Sequence, residues 1–426
     1  MNNKTRFLAR TAALRPGRTS RLLATSVATA LCAPAFAVEP PVVDEGVARV
    51  LDAFNPYLTV GYGYDSNVFR LDEEVFEDPD DPLPVATKDD LSDQYAMASA
   101  GFNAEIERSL QRWELYGELS HTLFNEYDDL DYTGSKAGAL WHWRLSDLTA
   151  GTAGATHKRA LRDFANQLTL NRQQDLRMEN KLLGDANIGL KGPWRLGVRG
   201  EFAEISFSES ERLDLQRVTG GASIGFASDA GSIIGFDAEY IIGDYDNNPL
   251  SDYDEYTLGP TLEWKFTERT SMTARVGYTN RDQSDPLRDD YDGVTGRVVV
   301  NFANDERNGV RFSLYRDLSS LGDEISEFAE VLGLEVEPRW QLREGVDLRL
   351  LVGYEQRDFN RDLDAELLGL DPNRDDDVVT AGAFVDWEIT RNIKVSFGAD
   401  MQRRDSTREL QDYDFHRFEM RLTGSL

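Results

Sequence analysis

The stretch Asp376–Asp405, DDVVTAGAFVDWEITRNIKVSFGADMQRRD, decides the fold. In its first half Val379, Ala381, Ala383, Val385, Trp387 and Ile389 take every second place, with Thr380, Gly382, Phe384, Asp386 and Glu388 between them. Thr390-Arg391-Asn392 makes a tight turn. Then Ile393, Val395, Phe397, Ala399 and Met401 alternate with Lys394, Ser396, Gly398, Asp400 and Gln402. A period of two puts one set on each face of a strand. The segment therefore reads as a hairpin with one apolar and one polar face.

The same unit recurs along the whole chain. Candidate strands lie near 55–69, 94–110, 112–125, 133–145, 147–159, 174–190, 193–208, 215–227, 231–243, 254–266, 269–281, 291–303, 308–317, 327–342, 345–358, 377–389, 392–404 and 412–426. Short turns such as Gln111-Arg112, Ser146-Asp147, Lys191-Gly192-Pro193 and Arg343-Glu344-Gly345 alternate with longer loops. This pattern predicts an all-β fold, a transmembrane antiparallel up-and-down barrel of about 18 strands with short periplasmic turns and long outer loops. The chain is 29% charged with a mean hydropathy of -0.49, which on averages alone suggests a soluble protein. Lumen-facing polar residues dilute the apolar signal of a barrel, so the average does not oppose that reading.

Residues 1–37 read as a secretory signal peptide. Lys4, Arg6, Arg10, Arg15, Arg18 and Arg21 form a basic region, Leu22–Leu31 an apolar core, and Ala35-Phe36-Ala37 a cleavage site. Residues 38–54 then form a periplasmic lead and 55–426 the barrel. The sole cysteine, Cys32, falls in the signal, so the mature chain has neither disulfides nor thiolate metal ligands. The net charge of the full chain is −30, and removing the basic leader makes it more negative. That argues against nucleic acid as a partner.

Aromatic placement predicts two interfacial belts. Trp113, Trp141, Trp143, Trp194, Trp264, Trp340 and Trp387 lie near short turns, on the apolar parity of their strands. Tyr62, Tyr64, Tyr95, Tyr127, Tyr132, Tyr240, Tyr245, Tyr253, Tyr256, Tyr278, Tyr291, Tyr354 and Tyr413 lie near long loops. Phe418, Met420, Leu422, Gly424 and Leu426 alternate to the C-terminus, as in the assembly signal of outer-membrane barrels, with Leu426 where an aromatic residue is usual.

Much of the acidity sits in three predicted outer loops, Leu71–Asp93, Asp244–Glu255 and Asp358–Asp377. These suit a solvated face, or divalent-cation bridging to lipopolysaccharide. Asp244, Asp246, Asn248, Asp252 and Glu255 have the oxygen spacing of a calcium loop, but Pro249 stands where a helix–loop–helix site needs Gly. Lumen parity selects Arg177, Arg195, Arg199, Arg275, Arg297, Arg311 and Arg349, and against them Glu201, Asp237, Glu239, Asp386 and Glu388, among others. The two signs roughly balance. Such a lining suits a neutral or weakly charged hydrophilic solute, whereas a strongly basic one would select anions. Either Leu71–Asp93 or Asp358–Asp377 is long enough to fold inward as a constriction.

No catalytic or cofactor motif stands out: there is no phosphate loop, HExxH or Cys/His cluster. A barrel hydrolase needs a Ser–His pair with an orienting group on the membrane-facing side. Of His121, His142, His157 and His416, the pattern assigns His142 and His157 to the lumen, with no serine clearly paired to either. The expectation is a non-enzymatic barrel without a cofactor.

Several segments go beyond barrel texture. Asn55-Pro56-Tyr57, then Tyr64-Asp65-Ser66-Asn67-Val68-Phe69-Arg70-Leu71, resembles the opening of the EpsL family, outer-membrane barrels encoded with exopolysaccharide operons and the PEP-CTERM/exosortase system. Gln111–Leu115, Leu130-Asp131-Tyr132, Leu140–Leu145 and Arg159–Phe164 are similar to that family too. The likeness is clearest over 55–245, and more broadly the chain is similar to the "putative β-barrel porin 2" group. The resemblance implies export of a polysaccharide chain across the outer membrane, with a periplasmic polysaccharide export protein as a partner. It carries no catalytic residues. Tyr64, Asp65, Ser66, Asn67 and Arg70 mark the first loop, either as an anchor or as a contact at the mouth. A general diffusion porin is the first alternative, and a barrel hydrolase or deacylase the second.

Overall fold

The computed structural model describes residues 53–72, 91–166, 173–286, 288–303, 305, 307–319, 328–359, 373–408 and 411–425. The predicted signal peptide with Cys32, nearly all of the lead, Leu426, and most of the Leu71–Asp93 and Asp358–Asp377 loops lie outside the described residues. The described residues form eighteen strands: β1 Phe54–Asp65, β2 Asp93–Arg108, β3 Gln111–Phe124, β4 Tyr132–Arg144, β5 Thr149–Leu161, β6 Leu176–Ile188, β7 Trp194–Phe207, β8 Leu215–Ala227, β9 Ile233–Tyr245, β10 Tyr253–Lys265, β11 Thr270–Gln283, β12 Tyr291–Ala303, β13 Gly309–Ser319, β14 Ala329–Arg343, β15 Val346–Phe359, β16 Arg374–Thr390, β17 Ile393–Ser406 and β18 Tyr413–Ser425.

Each strand pairs antiparallel with its neighbours in sequence, and β18 returns to β1, with Tyr57 facing Ser425 and Asp65 facing Arg417. Closure gives each strand a hydrogen-bonded neighbour on both sides, so the backbone groups along the wall are paired within the sheet. Lipid offers no partners, which is why sheets cross membranes only as closed barrels. The predicted strand number and order are as observed. β1 is shorter than expected, because the chain leaves the wall after Asp65 and turns inward.

Followed from pair to pair round the wall, the register comes back to β1 displaced by about 22 residues. With strands about 4.8 Å apart and a rise of about 3.3 Å per residue, this tilts them by roughly 40° and gives a backbone cylinder about 35 Å across.

The outward face is apolar. Leu58, Val60 and Tyr62 of β1, Leu119 of β3, Leu182 of β6 and Phe418, Met420 and Leu422 of β18 are all exposed on it. Large exposed aliphatic side chains all round a wall make sense only in contact with lipid. The molecule is an integral outer-membrane barrel of porin-like architecture. The register places all seven tryptophans on this face near the periplasmic turns. The tyrosines divide. Tyr62, Tyr240, Tyr278 and Tyr354 face outward near the outer rim, three of them donating to Asp254, Asp292 and Asp377 on the next strand. Tyr95, Tyr132, Tyr253, Tyr291 and Tyr413 lie on the lumen parity instead, so the outer belt is thinner than the sequence suggested.

The outer loops repeat one device. An aspartate at the end of the loop accepts the backbone N–H of the residue seven positions earlier: Asp131 from Phe124, Asp214 from Phe207, Asp252 from Tyr245 and Asp290 from Gln283, at 2.7 to 2.8 Å. Part of the loop acidity is thus structural.

Candidate functional site

The lumen wall is lined by charges that neutralise one another. Arg199 on β7 reaches over β8 to grip Asp237 on β9 through two hydrogen bonds of 2.7 and 2.8 Å, and Glu239 at 2.7 Å. Arg275 on β11 meets the same Asp237 at 2.6 Å and Glu239 at 3.3 Å. Gly221 lies beneath the Arg199 side chain; a Cβ there would sit 2.6 Å from the guanidinium carbon, so only glycine lets the arginine lie flat. Further pairs are Arg217–Glu201, Arg297–Asp317, Arg349–Glu337, Arg417–Asp400 and Lys394–Asp386, with Arg177 on Glu179. The charged lumen residues selected from the sequence, Arg177, Arg195, Arg199, Glu201, Asp237, Glu239, Arg275, Arg297, Arg311, Arg349, Asp386 and Glu388, lie on the inward parity. Arg195 bonds the carbonyls of Gly189 and Gly192, bracing a periplasmic turn. Arg311 and Glu388 have no ion-pair partner among the described residues.

Aromatic rings lie against this wall. The ring of Tyr95 covers Gly63, where a Cβ would fall 2.3 Å from Cζ, and its hydroxyl donates to Glu419 at 3.0 Å. Tyr57 donates to Glu118 at 2.7 Å and Tyr315 to Glu355 at 2.6 Å. These contacts tie the rings to the wall.

The outer mouth is built differently. Arg70, Arg162, Arg281, Arg374 and Arg404 are buried there, each over an aromatic ring: Phe415, Phe207, Tyr253, Phe359 and Tyr413 in turn. Cation–π contact and paired carboxylates offset the cost of burying a guanidinium. Arg70 makes a two-bonded pair with Asp65 at 2.8 Å per bond. Asn67, fully enclosed, donates to the carbonyls of Leu71 and Asp414 and accepts from Leu71 N–H. Ser66 exchanges backbone and side-chain bonds with His416. Tyr64 precedes them in β1 on the outward parity. The family-like motif therefore pins the first loop to the β1–β18 seam.

Two further segments complete the mouth. Val68, Leu130 and Phe164 form a small apolar cluster joining three loops, with Phe69 and Tyr127 against it. Ala165, after β5, packs on Tyr413 and Phe415 of β18, and its carbonyl accepts from Arg404 Nη1 on β17 at 2.6 Å. β18, β1, β2, β3 and β4 intervene on that side of the wall, so the segment Arg162–Asn166 crosses the mouth. The inward fold expected of the two long acidic loops falls mostly outside the described residues; among the described residues it is the segment Arg162–Asn166 that reaches across the mouth. No repeat or charge run marks it in the sequence. Below it a cleft of about 310 Å³ is lined by Tyr95, Met97, Arg417, Glu419 and Arg421.

The calcium-like residues do not converge. Asp252 holds Tyr245 N–H, Asp246 accepts from Gln216, Asn248 donates to Ser251, and Glu255 pairs with Arg281 inside the lumen. Asp244 lies on the outward parity. Among the described residues no group of three His, Cys, Asp or Glu is placed to hold a metal.

One histidine is corrected. His142 faces the lumen, between Thr152 and Glu114. His157 does not: it stands opposite Ala137 and Asn180, on the parity of Trp141, and is therefore on the lipid face, where Ser135 is its neighbour.

Solved structures of similar fold include the outer-membrane protein OpdK of Pseudomonas aeruginosa (TM-score 0.47, 9% identity, covering 88% of this chain and 100% of that one). OccAB4 of Acinetobacter baumannii gives a TM-score of 0.45 at 10% identity over 88% and 98%. The siderophore receptor PirA of P. aeruginosa gives 0.41 at 11% identity over 88% and 80%. No curated protein matches the chain. Residues 244–425, from the end of β9 through β18, match the family model described as "Putative beta-barrel porin 2".

Proposed function

We propose that this barrel is an outer-membrane conduit through which an exopolysaccharide leaves the cell. The observation that carries the reading is the lumen wall, wide and internally neutralised, with tyrosine rings laid along it. Paired charges exert little net field, so the wall neither repels nor traps a neutral polymer. The rings of Tyr57 and Tyr95 offer faces on which the C–H side of a sugar can rest, while neighbouring carboxylates and guanidinium groups exchange hydrogen bonds with hydroxyls. The EpsL-like segments over 55–245 support the same cargo. The crossing loop Arg162–Asn166 makes the mouth a gate, and a periplasmic export protein is the natural partner that delivers the chain.

The test is deletion of the gene followed by complementation. Surface polysaccharide should disappear and accumulate in the periplasm, and return with the wild-type barrel. Normal surface polymer in the deletion strain would falsify the proposal. A barrel that alone passes small sugars at a porin-like rate in liposome swelling, with no effect of deletion on polymer, would instead mark a general diffusion porin.

A further inference from the structure

The outward wall between β4 and β7 carries a set of polar side chains that the conduit does not use. Ser135 Oγ on β4 is 2.9 Å from His157 Nε2 on β5. On the other side of the ring His157 Nδ1 is 2.8 Å from Asn180 Oδ1 on β6, and Asn180 Nδ2 donates to Glu204 Oε2 on β7 at 3.3 Å.

This chain fixes its own protons. A carboxylate only accepts, so Glu204 selects the amide orientation that turns Asn180 Oδ1 toward the imidazole. That oxygen also only accepts, so the ring proton of neutral His157 sits on Nδ1. Nε2 is then bare and receives the serine hydroxyl. A nucleophile, a base and a group that orients the base are in hydrogen-bond reach in the order acyl transfer needs.

We propose that Ser135 and His157 are catalytic residues that cleave the carboxylic esters of lipids in the outer leaflet, with Asn180 and Glu204 as positioning residues. The location gives the substrate class. Toward the membrane interior the serine looks onto Ala137, Ala139 and Ala155, a shallow trough between Leu119 and Leu182, which are 64% and 58% exposed. Small side chains between tall ones leave room for an acyl chain along the wall. Toward the outer rim Arg159 stands directly across from Ser135 on the same face and has no ion-pair partner among the described residues. Its positive charge is placed to stabilise a carbonyl oxygen that becomes anionic.

The chemistry closes with water as the sole co-reactant. His157 Nε2 takes the hydroxyl proton as Ser135 Oγ bonds to the ester carbonyl carbon. The bond from that carbon to the alcohol oxygen breaks, and the alcohol departs with the proton. Water then attacks the acyl-serine and gives its proton to Nε2. The fatty acid leaves, and Ser135 Oγ recovers the proton.

The full-length barrel in mixed micelles with either phosphatidylethanolamine or lipopolysaccharide provides the test, with fatty-acid release measured by mass spectrometry. A fluorophosphonate probe reports whether Ser135 becomes covalently labelled. Release is expected in at least one arm, and the arm identifies the lipid. It should fall by about 10³-fold or more in Ser135→Ala and His157→Ala. Asn180→Ala should lose at least about tenfold while Asn180→Asp, which keeps an acceptor for Nδ1–H, retains most of the activity, a contrast that a purely structural role would not produce. All four side chains face outward from the wall, so the variants should still fold, as heat-modifiable gel mobility will show. Absence of both release and labelling, or equal values in Ser135→Ala and wild type, overturns the proposal and leaves the conduit reading unaffected.

Discussion

Asn67 is enclosed at the β1–β18 seam and spends its amide on three backbone groups. Replacing it by Ala leaves the carbonyls of Leu71 and Asp414 and the Leu71 N–H without partners in a closed site. The expected cost is about 2–3 kcal/mol in urea unfolding. Asp214, in the loop between β7 and β8, behaves differently. Burial raises its pKa, the Phe207 N–H bond opposes this, and Glu211, Asp246 and Asp175 push it further up. A carboxyl group whose pKa is raised on folding contributes stability that is fully present below its unfolded pKa and is lost as pH rises through the folded one. Asp214→Asn keeps an acceptor for Phe207 and should flatten the acidic limb of the stability–pH curve. An unchanged curve would show that the carboxylate is not strained.

At the scale of elements, the seven-residue aspartate clasp is a unit that recurs in four loops. Asp252→Ala should release Tyr245 N–H at a cost of about 1 kcal/mol and speed hydrogen exchange in that loop alone. Asp131→Ala should add to it independently, since the two loops share no contact. How much of an element the sequence reveals depends on its pattern. β16 and β17 alternate so regularly that both faces are legible from Val379 and Ile393 onward. β5 reads TAGTAGATHKRAL, with no large apolar residue until its end, so no hydrophobic set declares which side meets lipid. Its parity is settled by partners, Trp141 opposite Ala153 and Leu182 opposite Ala155. Hence His157 is misplaced by the pattern and its pairing with Ser135 and Asn180 stays hidden. The inward tyrosines fail for a related reason: nearness to a strand end gives height, not side. The crossing of Arg162–Asn166 to β17 rests on contacts far apart in sequence, which no local rule anticipates.

For the whole molecule the governing quantities are the strand number, the tilt and the balance of inward charge. A wide lumen with neutralised walls should select weakly between small ions, with reversal potentials near zero in a salt gradient across a planar bilayer. Arg199→Ala removes one cation from the Asp237–Glu239–Arg275 group and should shift the reversal potential toward cation preference, more at low salt than at high. Arg404→Ala should raise single-channel conductance, since it removes the grip on the Ala165 carbonyl that holds the crossing segment. A conductance equal to wild type would place the narrowest point elsewhere.

A ring braced across its opening resists being squashed. The span from the end of β5 to Arg404 is such a brace, and it lies at one rim only among the described residues. Lateral pressure from neighbouring proteins or from packed lipopolysaccharide will therefore meet a stiff outer rim. The opposite rim, made of short turns, is left to take up the oval distortion. The cylinder should flex like a cup with a bar across its lip, yielding at the base, where a periplasmic partner would have to seat.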